Sequence, residues 1–327
     1  MKTKEKYSTT HFLWDLWCTV SIVGIWPRFI EPNLISTTTL DFPLSNLKSN
    51  LPLKIVQFSD LHFNSELSER FLNKLTDKIL KESADIIVFT GDFLCFSKLD
   101  GQIRLKKFLN TLHAPFGCFA ILGNHDYENF ISINENGEYD LIDNLNSSST
   151  LARGFKKLFS KIILKGTSTE RAKNSNVHEG LIELLKETPF TILHNETKLI
   201  DIKGTKLNIC GLGEYSLKKC LPEIAFESYE TDYPGVILSH NPDSLSLLKN
   251  YPGEIILSGH THGGQVNLPW LRNKFMALEN LKLVRGLVRQ YNKNIYINKG
   301  VGSVMKFRWF SMPEILVLNL TPLKESP

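Results

Sequence analysis

The chain is predicted to be an α/β protein, and two observations carry that prediction. Short apolar runs rich in β-branched residues recur at 54–59, 86–90, 118–122, 236–239 and 254–258, each stopped by a polar cluster; buried strands read this way. Between them lie segments of helical period. Over 65–81, Leu67, Phe71, Leu75 and Ile79 share one face, and a second such segment covers 243–249. Alternation of the two types builds a sheet covered by helices. Further strand-like runs at 206–210, 294–298 and 314–320 continue the pattern towards the C-terminus, so residues 41–327 read as one domain behind a leader over 1–40.

Composition narrows the class. With 42% hydrophobic and 22% charged residues, and no run of eighteen uninterrupted apolar residues, the 327-residue chain is neither disordered nor a polytopic membrane protein. A net charge of +4 from 38 basic and 34 acidic residues is too balanced to argue for nucleic acid, so any electropositive feature has to be local. Five scattered cysteines, Cys18, Cys95, Cys118, Cys210 and Cys220, show no CxxC spacing. They fit a reducing compartment and read as small packing residues.

The leader carries three lysines within 2–6 and then an apolar stretch over 12–26 that contains Trp14, Trp17 and Trp26. Asp15 interrupts it, the clean run 16–26 is too short to span a bilayer, and no small-residue cleavage site follows. Tryptophans beside lysines suit a segment lying at a membrane interface. A helix docked on the domain's own apolar surface and a cleaved or spanning signal are the alternatives.

An insertion over about 128–188 breaks the strand–helix rhythm. Within it, Leu151, Phe155, Leu158, Phe159, Ile162 and Ile163 recur at helical spacing, while Arg153, Lys156, Lys157, Lys161 and Lys165 supply positive charge with no acid among them. This predicts a basic amphipathic helix over 151–165. It suits either a cap packed on the domain or a surface facing a membrane or acyl chain. Nucleic acid is disfavoured because the aromatic residues follow the apolar face.

The residues that follow the strands carry the chemistry. The first run ends in Asp60-Leu61-His62, the second in Gly91-Asp92, the third in Gly123-Asn124-His125-Asp126, the fourth in His240-Asn241 and the fifth in Gly259-His260-Thr261-His262. In α/β sheets, sites lie outside the carboxyl ends of strands, so these segments could converge on one locus. Residues i and i+2 of an extended segment project to one side, which lets Asp60 and His62, and likewise His260 and His262, reach one ion in pairs. A mixed nitrogen and oxygen donor set without thiolate suits manganese, iron or zinc.

This ordered set, D-x-H, GD, GNHD, H and GH-x-H, resembles that of the calcineurin-like metallophosphoesterases, over 53–320. The resemblance implies a two-sheet β-sandwich flanked by helices, with a helical insertion. It also implies two divalent metal ions, manganese first, with iron or zinc as alternatives. Asp60, His62, Asp92 and His262 would hold one ion, and Asp92, Asn124, His240 and His260 the other. The catalytic pair would be His125, beside the scissile phosphate and either stabilising charge or protonating the leaving oxygen, and Asp126, orienting its ring.

Serine/threonine protein phosphatases of that superfamily carry GDxxDRG and GNHE, whereas this chain has Gly91-Asp92-Phe93-Leu94-Cys95-Phe96-Ser97 and GNHD. The GHTHGGQV run at 259–266 and the YINKGVG run at 296–302 resemble instead a bacterial phosphodiesterase branch, some members of which act on lipid precursors. With the tryptophan-rich leader and the basic insertion, the chain is similar to the membrane-associated pyrophosphatases of the lipid A pathway. That implies hydrolysis of UDP-2,3-diacylglucosamine at the cytoplasmic face of the inner membrane, with a membrane-embedded lipid substrate reached through the leader and the 151–165 helix. A phosphodiesterase or phosphatase on another ester, and a non-catalytic scaffold on the same fold, are the alternatives. Arg285, Lys299 and Arg308 are possible phosphate contacts, although solvation is the commoner fate of such residues.

Overall fold

Strands that carry apolar side chains on both faces must be covered on both. The computed structural model, which describes residues 9–47, 52–142, 164–268, 276 and 278–323, achieves this by stacking two sheets. The first has the order β1 (Ser36–Leu44), β14 (Glu314–Pro322), β2 (Leu53–Phe58), β3 (Ile86–Thr90), β4 (Cys118–Ile121) and β7 (Phe190–Ile192). The second has the order β12 (Gly286–Gln290), β13 (Lys293–Ile297), β11 (Ile255–Ser258), β10 (Gly235–Leu238), β9 (Thr205–Gly211) and β8 (Glu196–Ile202). β2, β3, β4 and β7 run parallel, as do β13, β11, β10 and β9. Antiparallel pairings of β14 with β2, of β12 with β13 and of β8 with β9 flank the two parallel sets.

Alternate residues of each strand enter different cores. Ile55, Val88, Ile121, Leu318, Ile209, Leu238 and Leu257 meet between the sheets. Val56, Phe58, Ile87 and Phe89 face the other way, against α2 (Glu69–Lys81), α3 (Gln102–Thr111) and a later helix carrying Leu181 and Leu185. On the far side of the second sheet, Cys210, Ile237, Ile256 and Ile295 pack with Leu245 and Leu248. The two-sheet sandwich flanked by helices implied by the motif set is therefore the observed architecture. Truncating any of these side chains to alanine would cost about 2–5 kcal/mol.

The predicted helix over 65–81 begins at Glu69, because Ser68 adopts an extended backbone and its hydroxyl accepts the Phe71 N–H at 3.2 Å. Such a cap ends the helix N-terminally and stabilises it by about 1 kcal/mol. The segment over 243–249 is shorter than its pattern suggested. It makes a 3-10 turn, Pro242–Ser246, capped by the Asn241 side chain. In the insertion, β5 (Ile131–Ile133) and β6 (Tyr139–Leu141) form a hairpin, followed by α4 (Glu170–Lys173) and α5 (Glu179–Lys186). The basic helix expected over 151–165 lies almost wholly outside the described residues. Its last residue, Lys165, is non-helical and donates its N–H to Gly137 O.

The leader forms α1 (Thr9–Val20), a π-helical stretch Ser21–Ile30 and a 3-10 turn Glu31–Asn33. Phe12, Leu13, Trp14, Leu16, Trp17, Ile22, Val23, Trp26 and Phe29 are all exposed, so α1 is not docked on the sandwich. Pro27, Glu31 and Pro32 are buried. Among the described residues no helix is long and apolar enough to cross a membrane. Ser36–Leu40, grouped with the leader in the sequence, already belong to β1 and pair in parallel with β14. Cys95, Cys118, Cys210 and Cys220 are buried.

Candidate metal centre

The carboxyl ends of β2, β3, β4, β10 and β11 converge at one edge shared by the two sheets. Backbone hydrogen bonds lock the segments together beyond the strands: Asp60 N–H donates to Gly91 O at 2.9 Å, His62 N–H to Asp92 O at 3.1 Å and Gly259 N–H to His240 O at 3.0 Å. Gln57 joins the sheets beneath them. Its amide nitrogen donates to Thr90 Oγ1 on β3 at 2.9 Å and to Ser258 O on β11 at 3.0 Å.

Strand geometry alone does not aim the side chains. Asp60, His62, Asp92, His260 and His262 all adopt left-handed backbone conformations, with φ between 45° and 70°. Each costs about 1 kcal/mol, which the surrounding hydrogen bonds must hold in place. Gly91 (φ 93°) shows why the glycines stand beside them: a Cβ there would lie 2.6 Å from His240 Nδ1 and 2.7 Å from Gly123 N. At Gly123 a Cβ would strike the carboxylate of Asp92.

The result is a continuous cluster. His62 Nε2 lies 3.0 Å from His262 Nε2 and 3.5 Å from Asp92 Oδ2, and His262 Nε2 lies 3.6 Å from Asp60 Oδ1. On the other side, His240 Nε2 is 3.3 Å from Asp92 Oδ2, while His260 Nδ1 is 2.9 Å from Asn124 Oδ1 and 3.3 Å from His240 Nε2. Three overlapping groups of donor atoms, Asp60–His62–His262, His62–Asp92–His125 and Asp92–His240–His260, each have the spacing to hold a cation. Asp92 belongs to two of them. All seven residues expected as ligands and His125 thus come together.

The protonation states suit cation binding. Burial holds His62 down at about 3, and it holds His262 well below the usual imidazole range. Both rings are therefore neutral. His62 Nδ1 faces Leu94 O at 3.2 Å and His240 Nδ1 faces Thr90 O at 2.7 Å, so each donates Nδ1–H to a carbonyl and leaves Nε2 towards the cluster. Outer partners of this kind fix tautomer and ring orientation in metal sites. Burial opposes charge on Asp92 as well, but His240, with His125 and His62, outweighs it and keeps the carboxylate ionised. For His240, burial is overcome by Asp92, which raises the imidazole. Burial lifts Asp60 to about 7 in the metal-free protein. The neutral imidazoles of His62 and His262, the held carboxylate of Asp92 and the Asn124 amide oxygen form an oxygen and nitrogen donor set that fits divalent cations, which His240 joins on losing its proton.

Asp126 does something other than orient the His125 ring by contact. Its oxygens accept the backbone N–H groups of Asp92 at 2.8 Å, Gly123 at 2.9 Å and Leu94 at 3.0 Å, tying the ends of β3 and β4 together. The ring is set by a backbone donor, the Phe96 N–H, at 3.1 Å from Nδ1, and is flanked by Phe96 and Phe130. A sequence shows a carboxylate next to a histidine; it does not show which backbone amides are left unpaired around it.

Arg308 also departs from expectation. It is fully buried rather than solvated, and its guanidinium Nη2 lies 3.2 Å from His262 Nδ1. Lys299 sits 3.5 Å from Glu314, and Arg285 donates to Phe310 O at 3.3 Å. Glu214, directly after the Gly211-Leu212-Gly213 stop of β9, is also buried.

Comparison with known proteins agrees with this geometry. Residues 53–264 match the family described as calcineurin-like phosphoesterase. Over 311 residues the chain is 40% identical to UDP-2,3-diacylglucosamine pyrophosphatase LpxG of Chlamydia muridarum, covering 91% of this chain and 93% of the relative. It is 40% identical, with the same coverage, to the protein of that name from Chlamydia trachomatis serovar D. Phosphodiesterase YaeI of Escherichia coli K12 is 26% identical over 272 residues, 82% of each chain.

Proposed function

The chain belongs to the calcineurin-like phosphoesterases and is a metal-dependent phosphate ester hydrolase, and from that premise we propose that it hydrolyses the diphosphate of UDP-2,3-diacylglucosamine to UMP and 2,3-diacylglucosamine 1-phosphate. One observation carries the substrate: the 40% identity to LpxG runs over 91% of the chain, well beyond the 53–264 family match, and so takes in segments outside the shared catalytic motifs.

The family uses a dinuclear metal site. In our reading Asp60, His62, Asp92 and His262 hold one ion, and Asp92, Asn124, His240 and His260 the other; the mixed nitrogen and oxygen donor set suits manganese, which we take first, and equally iron or zinc. Two such ions supply acidification of water near neutral pH and neutralisation of phosphate charge. The chain's own groups do the rest. His125, neutral because burial lowers it, carries its proton on Nε2 and would donate a hydrogen bond from there to the departing phosphate oxygen, stabilising its charge without giving up the proton. Asp126 keeps the β3 and β4 ends in register, so that His125 and Asp92 remain fixed to one another.

The exposed leader supports action at a membrane. Its apolar side chains, with Arg28 among them, form a face of the kind that enters the headgroup region, and we place the enzyme at the cytoplasmic face of the inner membrane. The 151–165 segment would shield the acyl chains.

The test is hydrolysis of UDP-2,3-diacylglucosamine in detergent with added manganese, beside a soluble nitrophenyl phosphodiester and a His125→Ala control. UMP release that vanishes in the control supports the reading. Turnover of the small diester alone discards the lipid substrate. Combined replacement of Phe155, Leu158 and Phe159 by alanine should raise KM for the acylated substrate and spare the small diester.

A further inference from the structure

Two of the expected ligand histidines, His62 and His240, have carbonyl oxygens behind the ring, the usual outer partner. His262 differs. Behind its Nδ1 stands the guanidinium of Arg308, a group that can only donate. Arg308 is completely buried and is held rigidly: Nη1 donates to Lys299 O at 2.8 Å and Ser311 O at 2.9 Å, and Nη2 to Gly300 O at 3.1 Å and to Gly302 O. Ser311 in turn donates its hydroxyl to His262 O at 2.6 Å. The turn 305–311 therefore grips His262 at both its ring and its backbone.

What holds that turn comes from the leader. Glu31, itself 1% exposed, accepts the backbone N–H groups of Phe310 at 3.1 Å and of Ser311, together with the Trp26 indole N–H at 2.8 Å. Arg308 N–H donates to Pro27 O at 2.7 Å. A buried guanidinium also needs negative charge nearby, since an uncompensated buried charge is strongly unfavourable. Asp60, then Glu31 and Glu314, are the carboxylates that act on it. Glu31 lies 22 residues before the start of the 53–264 family match.

We propose that Glu31 and Arg308 are positioning residues for His262, so that the junction between leader and domain is part of the metal site's scaffold. Glu31 clamps the 305–311 turn and balances Arg308, Arg308 ties that turn to Lys299, Gly300 and Gly302, and Ser311 holds the His262 backbone; the contact at Nδ1 belongs to the metal-free ring, whose proton must leave Nε2 before a cation binds there. This rests on His262 being a metal ligand and is independent of the lipid identity of the substrate.

The test is a calorimetric titration of the metal-stripped full chain, in detergent, with Mn²⁺ alone. The wild type should take up two equivalents. Glu31→Gln and Arg308→Lys should each weaken one of the two by about tenfold or more, the usual effect of losing an outer partner, and leave the other unchanged. His262→Ala should abolish that same equivalent. Turnover of the soluble nitrophenyl diester by Glu31→Gln should recover as Mn²⁺ is raised, a rescue that a core-destabilised control, Leu75→Ala, should not need or show. If His262→Ala removes one equivalent while Glu31→Gln and Arg308→Lys bind both normally, the positioning role is wrong. Equal weakening of both equivalents would overturn it too, by showing only a loosened fold. Two normal equivalents in His262→Ala would overturn the ligand assignment and the inference with it.

Discussion

The backbone N–H of Phe96 donates to Nδ1 of His125 at 3.1 Å, which decides that the neutral ring carries its proton on Nε2. A ring anchored in this way offers its Nε2–H as a hydrogen-bond donor to a departing oxygen without needing a carboxylate partner. His125→Ala is expected to lower kcat by about 10²–10⁴. The loss should be smaller for a nitrophenyl ester, whose leaving oxygen delocalises its charge and needs little stabilisation, than for an alkyl ester. Metal content should stay at the wild-type level by elemental analysis; loss of an ion from this variant would make His125 a ligand instead.

Asp92 belongs to both the His62–His125 group and the His240–His260 group of donor atoms. A single carboxylate placed between two ions stabilises both, so Asp92→Asn should reduce the content of both ions. His260→Ala and Asp60→Ala should each affect chiefly one. Metal-to-protein ratios after dialysis distinguish these patterns directly.

Asp60 sets a pH dependence. Burial raises its carboxyl to about 7 in the metal-free protein, against 3.8 as the reference value. Between about 4 and 7 the folded metal-free chain therefore keeps a proton that the unfolded chain has lost, and this contribution to stability falls as pH rises through that window. The Tm of the metal-free protein should decline more steeply with rising pH than that of Asp60→Asn. Cations must displace the same proton, so Mn²⁺ affinity should increase up to about pH 7 and then level off. Thermal scans and metal titrations across pH check both halves.

Gly91 is required by space as well as by backbone. With φ at 93° and a Cβ position 2.6 Å from His240 Nδ1, Gly91→Ala must displace the histidine from its hydrogen bond to Thr90 O. The expected cost is about 1–3 kcal/mol in stability. Binding of the ion assigned to His240 should weaken, whereas Gly204→Ala, where the Cβ meets open space but φ is also positive, should leave metal binding intact. Denaturant titration alongside metal analysis separates the two effects.

Much of the site was legible because parallel strands buried on both faces leave continuous β-branched runs, and their ends stand out as polar stops. β2, β3, β4, β10 and β11 were all found in this way. β1 was not: its Ser-Thr-Thr-Thr start alternates half-buried and exposed residues, as expected at the edge of a sheet, and Pro43 sits there where no N–H is needed. Glu31 and the buried setting of Arg308 are not legible in the sequence, because a lone charge is usually solvated. Each residue interrupts an apolar or aromatic run, Trp26–Leu34 in one case and Phe307–Phe310 in the other. The role of Asp126 depended on three backbone amides brought together only by the fold.

The leader makes a last prediction. Trp14 and Trp17 are 66% and 57% exposed, and Phe12, Leu13 and Leu16 of the same helix are exposed as well. Exposed apolar area of this kind is unusual unless something covers it. Moving an indole from water into the headgroup region should stabilise binding by about 1 kcal/mol, less than full burial of such a side chain because the ring stays partly hydrated. Trp14→Ala with Trp17→Ala should then weaken partitioning onto phosphatidylglycerol-containing vesicles by about thirtyfold. Turnover of a soluble diester should not change, because neither side chain is among the residues that hold His262 or the 305–311 turn. Vesicle co-sedimentation measures the first quantity and a nitrophenyl assay the second. Unchanged sedimentation would mean that another surface, such as the exposed Phe310 and Met312 beside the turn, carries the contact.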